Sequence, residues 1–231
     1  MSQSSDPILH TYFRSSCSAR VRTACHLKGI SISYKYINLV QAEQLSSEYK
    51  GTNPSATVPT FTIPASSPLN NSKSPIVIRQ SVAILEFLEE FPAYAEKPKL
   101  LPRDSVDRSK VRELVNIICN DVQPITNLHI LKRVDALNTD KTLWAKELMS
   151  RGFTAYEELL KLYAGKYSFG DEVTMADVCL APAAEGALRW GVDLRAFPHI
   201  SRVYNEIRVL DSFVKADWKH QEDTPEQFRS Q

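Results

Sequence analysis

The chain changes character near residue 100, and that change constrains the fold more than any other feature. Before it, short β-like runs alternate with helical ones. Ile8 to Tyr12 reads as a strand, Val21, Ala24, Cys25 and Lys28 recur at helical spacing, and Gly29 suits the residue after a helix end. Ile32, Tyr34 and Tyr36 alternate as a second strand, and Val58 to Ile63 and Ile76 to Ile78 make two more. Ser81 then reads as the N-cap of a helix with Ile84, Leu85 and Leu88 on one face, stopped before Pro92. Strands alternating with helices predict at least one parallel pair. After the change the pattern is helical almost throughout. Val111, Leu114, Val115 and Ile118 form one stripe, Pro124 breaks or kinks it, and a long helix runs from about Leu143 to Tyr163. Thr174-Met175-Ala176-Asp177 has the form of an N-cap with an acid at the third helical position. The expected organisation is an α/β domain over residues 1–91, a proline-bearing linker over 92–102, and an all-helical domain over 103–231. The run from Pro64 to Pro75, rich in turn formers, reads as an exposed, mobile loop rather than a tight hairpin.

With 28 basic and 27 acidic residues, no whole-chain field steers the protein toward nucleic acid or an anionic membrane. No stretch is long and apolar enough to span a bilayer. Cys17, Cys25, Cys119 and Cys179 are scattered, with no CxxC pair, which suits reduced thiols in the cytoplasm rather than a disulfide framework. No secretory signal is expected at the N-terminus. The five histidines make no HExxH or HxxxH pattern and are not spaced with a cysteine as in a zinc site, so no metal is expected.

Chemistry concentrates where the first strand meets the first helix, at Ser15-Ser16-Cys17-Ser18. Unpaired backbone N–H groups and the positive end of the helix dipole point out of such a junction and stabilise an anion, a thiolate included. A serine N-cap beside a small buried cysteine also accounts for the run. Pro59 lies in a β-like run and cannot donate to a ladder; a cis peptide there turns the Val58 backbone toward an incoming extended peptide, whereas a trans proline at a strand end is the commoner case. Gln80-Ser81 heads a helix whose N–H groups suit a carboxylate, or simply a cap. Gln123 and Asn127, four apart, share a face if the helix resumes after Pro124. Arg189 follows the apolar stretch Ala181 to Leu188 and needs a carboxylate partner, internal or on a substrate.

The order of these signals is specific. Ser15-Ser16-Cys17-Ser18-Ala19-Arg20-Val21-Arg22 resembles the SSCSxRVR signature of the zeta class of glutathione transferases. Asn53-Pro54, Val58-Pro59-Thr60, Gln80-Ser81, Gln123-Pro124, Gly170 to Asp177 and Asp223-Thr224-Pro225 match in order, over nearly the whole chain. The resemblance implies a thioredoxin-like N-terminal domain followed by an all-helical C-terminal domain, a homodimer, and glutathione as cofactor. It implies isomerisation of maleylacetoacetate, a dicarboxylate-like substrate. Ser15, with Ser16 and Cys17 beside it, then faces the glutathione thiolate. Gln44 and the Val58–Pro59 backbone hold the tripeptide, Gln80 and Ser81 its γ-glutamyl end, and Gln123 and Asn127 border the ligand. Arg189 and Arg20 are assigned to the substrate. Transfer to other electrophiles such as α-haloacids, a monothiol oxidoreductase using Cys17, and a non-catalytic glutathione-binding protein stay open.

Overall fold

The computed structural model describes residues 5–229. Contacts divide the chain into two compact units, Met1–Pro98 together with Val214–Gln231, and Lys99–Phe213. The first therefore takes in the end of the chain, which the sequence pattern assigns to the helical half.

The first unit runs β1 (Ile8–Thr11), α1 (Ser16–Lys28), β2 (Ser33–Tyr36), α2 (Ser47–Thr52), β3 (Thr60–Ile63), β4 (Ile76–Arg79) and α3 (Ser81–Glu90). The sheet order is β2-β1-β3-β4. β1 and β2 are parallel with Ile8 opposite Ser33, while β3 is antiparallel to both β1 and β4. This is the thioredoxin-like arrangement. α1 can serve as the crossover because Gly29 ends it in the left-handed region (φ 58°), where a side chain is disfavoured, and its N–H reaches back to the Cys25 and His26 carbonyls. Leu9, Val21, Ala24, Phe61, Ile63, Ile84, Leu85 and Leu88 fill the core between sheet and helices.

Two cations in α1 are buried as deeply as that core. Lys28 makes a 2.5 Å ion pair with Glu89 of α3 and donates to the Pro98 carbonyl at 2.7 Å. Arg22 is fully buried, and burial lowers its pKa to about 10. The loop from Pro64 to Pro75 is largely exposed, as expected, and carries hydrogen bonds of its own. Asn70, 8% exposed, donates to the carbonyls of Ile63 (3.4 Å), Pro64 (3.2 Å) and Ser74 (3.0 Å). One short side chain thus ties three backbone carbonyls at the two ends of the excursion together.

The second unit is helical: α4 (Ser105–Asn116), α5 (Leu128–Ala136), α6 (Lys141–Tyr163), α7 (Met175–Arg189) and α8 (Pro198–Ile207). Asp104 caps α4 by accepting from Val106 and Asp107 N–H. The α4 stripe is buried as its spacing predicts. The break expected at Pro124 starts earlier, as a π-helical turn over Ile117–Val122 followed by a 3-10 turn over Pro124–Thr126. Asp177 is fully buried and completes the capping box. It accepts from Ser168 N and Thr174 N, both at 2.8 Å, and from Thr174 Oγ1 at 3.1 Å. Burial raises its carboxyl pKa, and these donors oppose the shift. The sulfurs of Cys119 and Cys179 lie 3.8 Å apart as thiols.

Candidate active site

In the first unit the chain leaves β1 at Thr11, turns through Tyr12 to Arg14, and enters α1 with Ser15 as N-cap. Ser15 Oγ accepts from Ser18 N at 3.1 Å, and Ser15 N donates to the Tyr12 carbonyl at 3.0 Å. A hydroxyl has one proton to give. Since the Ser15 oxygen already accepts, its proton is left for an acceptor beyond the helix end. Ser16 and Cys17 follow in the first turn, all three half-buried.

Arg20 lies one turn deeper and is 1% exposed. Its Nη1 donates to Ser81 Oγ at 3.1 Å and lies 3.7 Å from Cys17 Sγ. The sequence reading assigns Arg20 to the substrate. The structure instead puts it beneath the helix ends, where it joins the start of α1 to the start of α3. Ser81 is not the cap of α3. Gln80 holds that position with φ 70° and makes no side-chain cap bond, so Ser81 is the first helical residue and its hydroxyl serves Arg20. A non-glycine residue in that region is uncommon and marks a site where the surroundings over-determine the backbone. Two helix N-termini and one guanidinium thus make a positively polarised patch suited to a thiolate and a carboxylate.

The Val58–Pro59 peptide is cis. It precedes β3 and is supported from below. Asn53 Nδ2 donates to the Thr57 carbonyl (2.8 Å) and Thr60 Oγ1 (3.0 Å), and the Tyr49 hydroxyl donates to the same carbonyl at 2.7 Å. Gln44 sits in a short 3-10 turn (Glu43–Leu45), and its Oε1 is buried without a hydrogen-bond partner among the described residues. A buried amide oxygen of this kind suits an N–H donor on a peptide-like ligand. The donors and acceptors of this unit therefore fit glutathione.

In the second unit Gln123 and Asn127 do share a face, and Gln123 Nε2 donates to Asn127 Oδ1 at 2.7 Å. Arg189 closes α7 and is exposed, not enclosed in apolar surroundings as its flanking residues suggest. Among the described residues, no group of three or more His, Cys, Asp and Glu could hold a metal ion, and no helix is long and apolar enough to cross a membrane.

The sequence signals do not reveal Arg20 as the link between the two helix starts, nor the tie of Asn53 and Tyr49 to the cis-proline turn. Asn53 is noted in sequence only as part of a matching dipeptide.

Comparison with known proteins defines the class. Residues 14–90 match the glutathione S-transferase N-terminal domain and residues 126–211 the C-terminal domain. The relatives narrow it. The chain is 47% identical over 222 residues to maleylacetoacetate isomerase maiA of Aspergillus fumigatus, covering 96% of this chain and 94% of that one. A bacterial maleyl pyruvate isomerase described as a zeta-class glutathione S-transferase superposes with TM-score 0.83 at 36% identity, over 94% of this chain and 100% of that chain. Maleylacetoacetate isomerase from Anaeromyxobacter dehalogenans 2CP-1, with glutathione bound in its active site, gives TM-score 0.84 at 32% identity, over 95% and 98%. The chain belongs to the glutathione S-transferase family, in the zeta class with the maleylacetoacetate isomerases.

Proposed function

We propose that this chain isomerises maleylacetoacetate to fumarylacetoacetate, with glutathione as a cofactor that is used and not consumed. The observation that carries the reading is the Ser15–Cys17 turn at the start of α1, tied through Arg20 to Ser81 at the start of α3. Glutathione held there would supply a thiolate for reversible addition to the conjugated system, which leaves the former cis bond free to rotate before elimination restores it as trans.

The residues of the chain make that chemistry possible at neutral pH. The Ser15 hydroxyl, with its oxygen engaged by Ser18 N–H, would donate a hydrogen bond to the sulfur and so favour the thiolate over the thiol. Ser16 and Cys17 line the same turn. The N-terminal dipole of α1 acts in the same direction. Gln44 and the backbone at Val58 and Pro59 hold the peptide, and Gln80 and Ser81 its γ-glutamyl carboxylate. In the second unit, the family resemblance offers Gln123 and Asn127 as candidates for a ligand contact and Arg189 as the candidate for a substrate carboxylate. Arg20 acts from below by fixing Ser81. The resemblance also supports a homodimer, and scattered cysteines without a CxxC pair suit a cytoplasmic location. Similarity to the bacterial maleyl pyruvate isomerase favours a second reading of the substrate, the shorter maleylpyruvate, at the same site.

Ser15→Ala tests the assignment. Loss of a hydrogen-bond donor aimed at developing charge lowers kcat on the order of 10²-fold. Loss of the cap costs about 1 kcal/mol of stability. A Ser15→Ala enzyme with near-normal turnover moves the role to Ser16 or Cys17.

A further inference from the structure

Asp223-Thr224-Pro225 belongs to the family resemblance yet has no part in the site described above. In the structure it lies in the first unit, against the turn that leads into Ser15. Phe13 N donates to Asp223 Oδ2 at 2.8 Å across 210 residues of sequence. The Phe13 carbonyl is held from the other side by Arg22 Nη2 at 3.1 Å. Arg22 Nη1 reaches Thr11 Oγ1 (2.9 Å) and the Tyr12 carbonyl (3.4 Å), and Arg22 Nε reaches the Ala216 carbonyl (3.1 Å). Both backbone groups of Phe13 are thus fixed by charged side chains. The Tyr12 carbonyl that Arg22 touches is the one that receives Ser15 N–H.

Apolar packing reinforces the clamp. The Phe13 ring lies 6.4 Å from Trp218 and 6.3 Å from Phe228, and Arg14 spans the Phe13 and Phe228 rings at 5.7 and 5.9 Å. The tail is itself stiffened. Gln221 Nε2 donates to the Lys215 (2.9 Å) and Asp217 (2.7 Å) carbonyls, the Thr224 hydroxyl to the Trp218 carbonyl, and Arg229 Nε to the Thr224 carbonyl at 2.9 Å. A loose chain end does not need this much internal bonding; a rigid acceptor for a distant N–H does.

We propose that Asp223 is a positioning residue for catalysis: by holding Phe13 N–H it sets the height and direction of the Ser15 hydroxyl at the head of α1. The inference rests on the reading of Ser15 as the donor to the glutathione sulfur. Between Phe13 and Ser15 there is one residue, so a shift of the Phe13 backbone passes to Ser15 with little to absorb it. A misplacement of about 1 Å in a reacting group can cost as much as 10²-fold in rate.

The test separates geometry from charge. Asp223→Asn keeps the acceptor and the shape while removing the charge; Asp223→Glu keeps the charge and displaces the acceptor by one methylene; Asp223→Ala removes both. Each is assayed as full-length enzyme for maleylacetone isomerisation and for the ultraviolet titration of the bound glutathione thiol. Asp223→Glu and Asp223→Ala are expected to lower kcat about tenfold or more, to leave the glutathione KM nearly unchanged, and to move the thiol titration to higher pH. Asp223→Asn is expected to stay near the parent. If Asp223→Ala does not fold, the Glu and Asn pair carries the comparison. An Asn variant worse than the Glu variant, or unchanged kcat and thiol titration in folded Asp223→Glu, overturns the proposal. Ser15→Ala run in parallel distinguishes the two readings. A thiol titration unmoved by Ser15→Ala removes the premise, and one moved by Ser15→Ala but by neither Asp223→Glu nor Asp223→Ala refutes the positioning role alone.

Discussion

Lys28→Met should unfold the first unit far more readily than a lysine substitution usually does. The Lys28 and Glu89 side chains are 0% and 2% exposed and 2.5 Å apart, so the pair is desolvated. Exposed ion pairs are worth well under about 1 kcal/mol. Removing one member of a buried pair strands the other charge and costs about 3–5 kcal/mol. In a chain of this size each kcal/mol moves the melting point by roughly 2–4 °C, so the loss amounts to roughly 6–20 °C. The double variant Lys28→Met/Glu89→Leu removes both buried charges together, leaves the Pro98 carbonyl without the Lys28 donor, and should recover most of the stability lost in the single variant. Urea unfolding followed through Trp218, which lies in the same unit, measures all four corners of the cycle. A single variant costing less than about 1 kcal/mol, or a double variant no better than the single, refutes the claim that burial sets this energy.

Two further outcomes follow from buried polar groups. Asp177→Ala leaves the Ser168 and Thr174 N–H groups without their acceptor and should cost about 2–6 kcal/mol in urea unfolding, at about 1–3 for each group. His10 is buried in β1 against Tyr49, and burial followed by the charge of Lys35 lowers its pKa below 6.5. The unfolded chain then binds a proton that the folded one resists. Its contribution is complete above pH 6.5 and is lost as pH falls through the lowered folded value. The stability of the parent should therefore drop on acidification below pH 6.5, and His10→Leu should flatten that part of the profile.

Local chemistry made most of the fold legible. Ser15, Gly29 and the Thr174–Asp177 box end or start helices through bonds to neighbours a few residues away, so residue type and spacing suffice to locate them. The four strands stand out because their apolar runs are short and bounded by turn formers. Other features depend on partners far away in sequence. Nothing in the sequence marks Arg20, Arg22 and Lys28 as buried cations of α1; partners far along the chain, among them Ser81 for Arg20, Ala216 for Arg22 and Glu89 for Lys28, make that burial tolerable. The tail from residue 214 reads as more helix, but its binding to Phe13 and Arg22 places it in the first unit. At Gln80, a positive φ moves the helix cap one residue ahead of the serine whose type suggests it. Of the candidate site, the Ser15–Cys17 turn lies where the sequence points and the Val58–Pro59 bond takes the less common of the two states the sequence leaves open, whereas the buried setting of Arg20 and the exposed one of Arg189 depend on packing.

The most direct measurement is the turnover of maleylacetone by the purified protein with and without glutathione, followed by loss of the cis isomer's absorbance and by assay of remaining thiol. Turnover that requires glutathione and leaves its concentration unchanged is the predicted result. Protein that binds glutathione yet shows no turnover, or that consumes one thiol per substrate, contradicts the isomerase account.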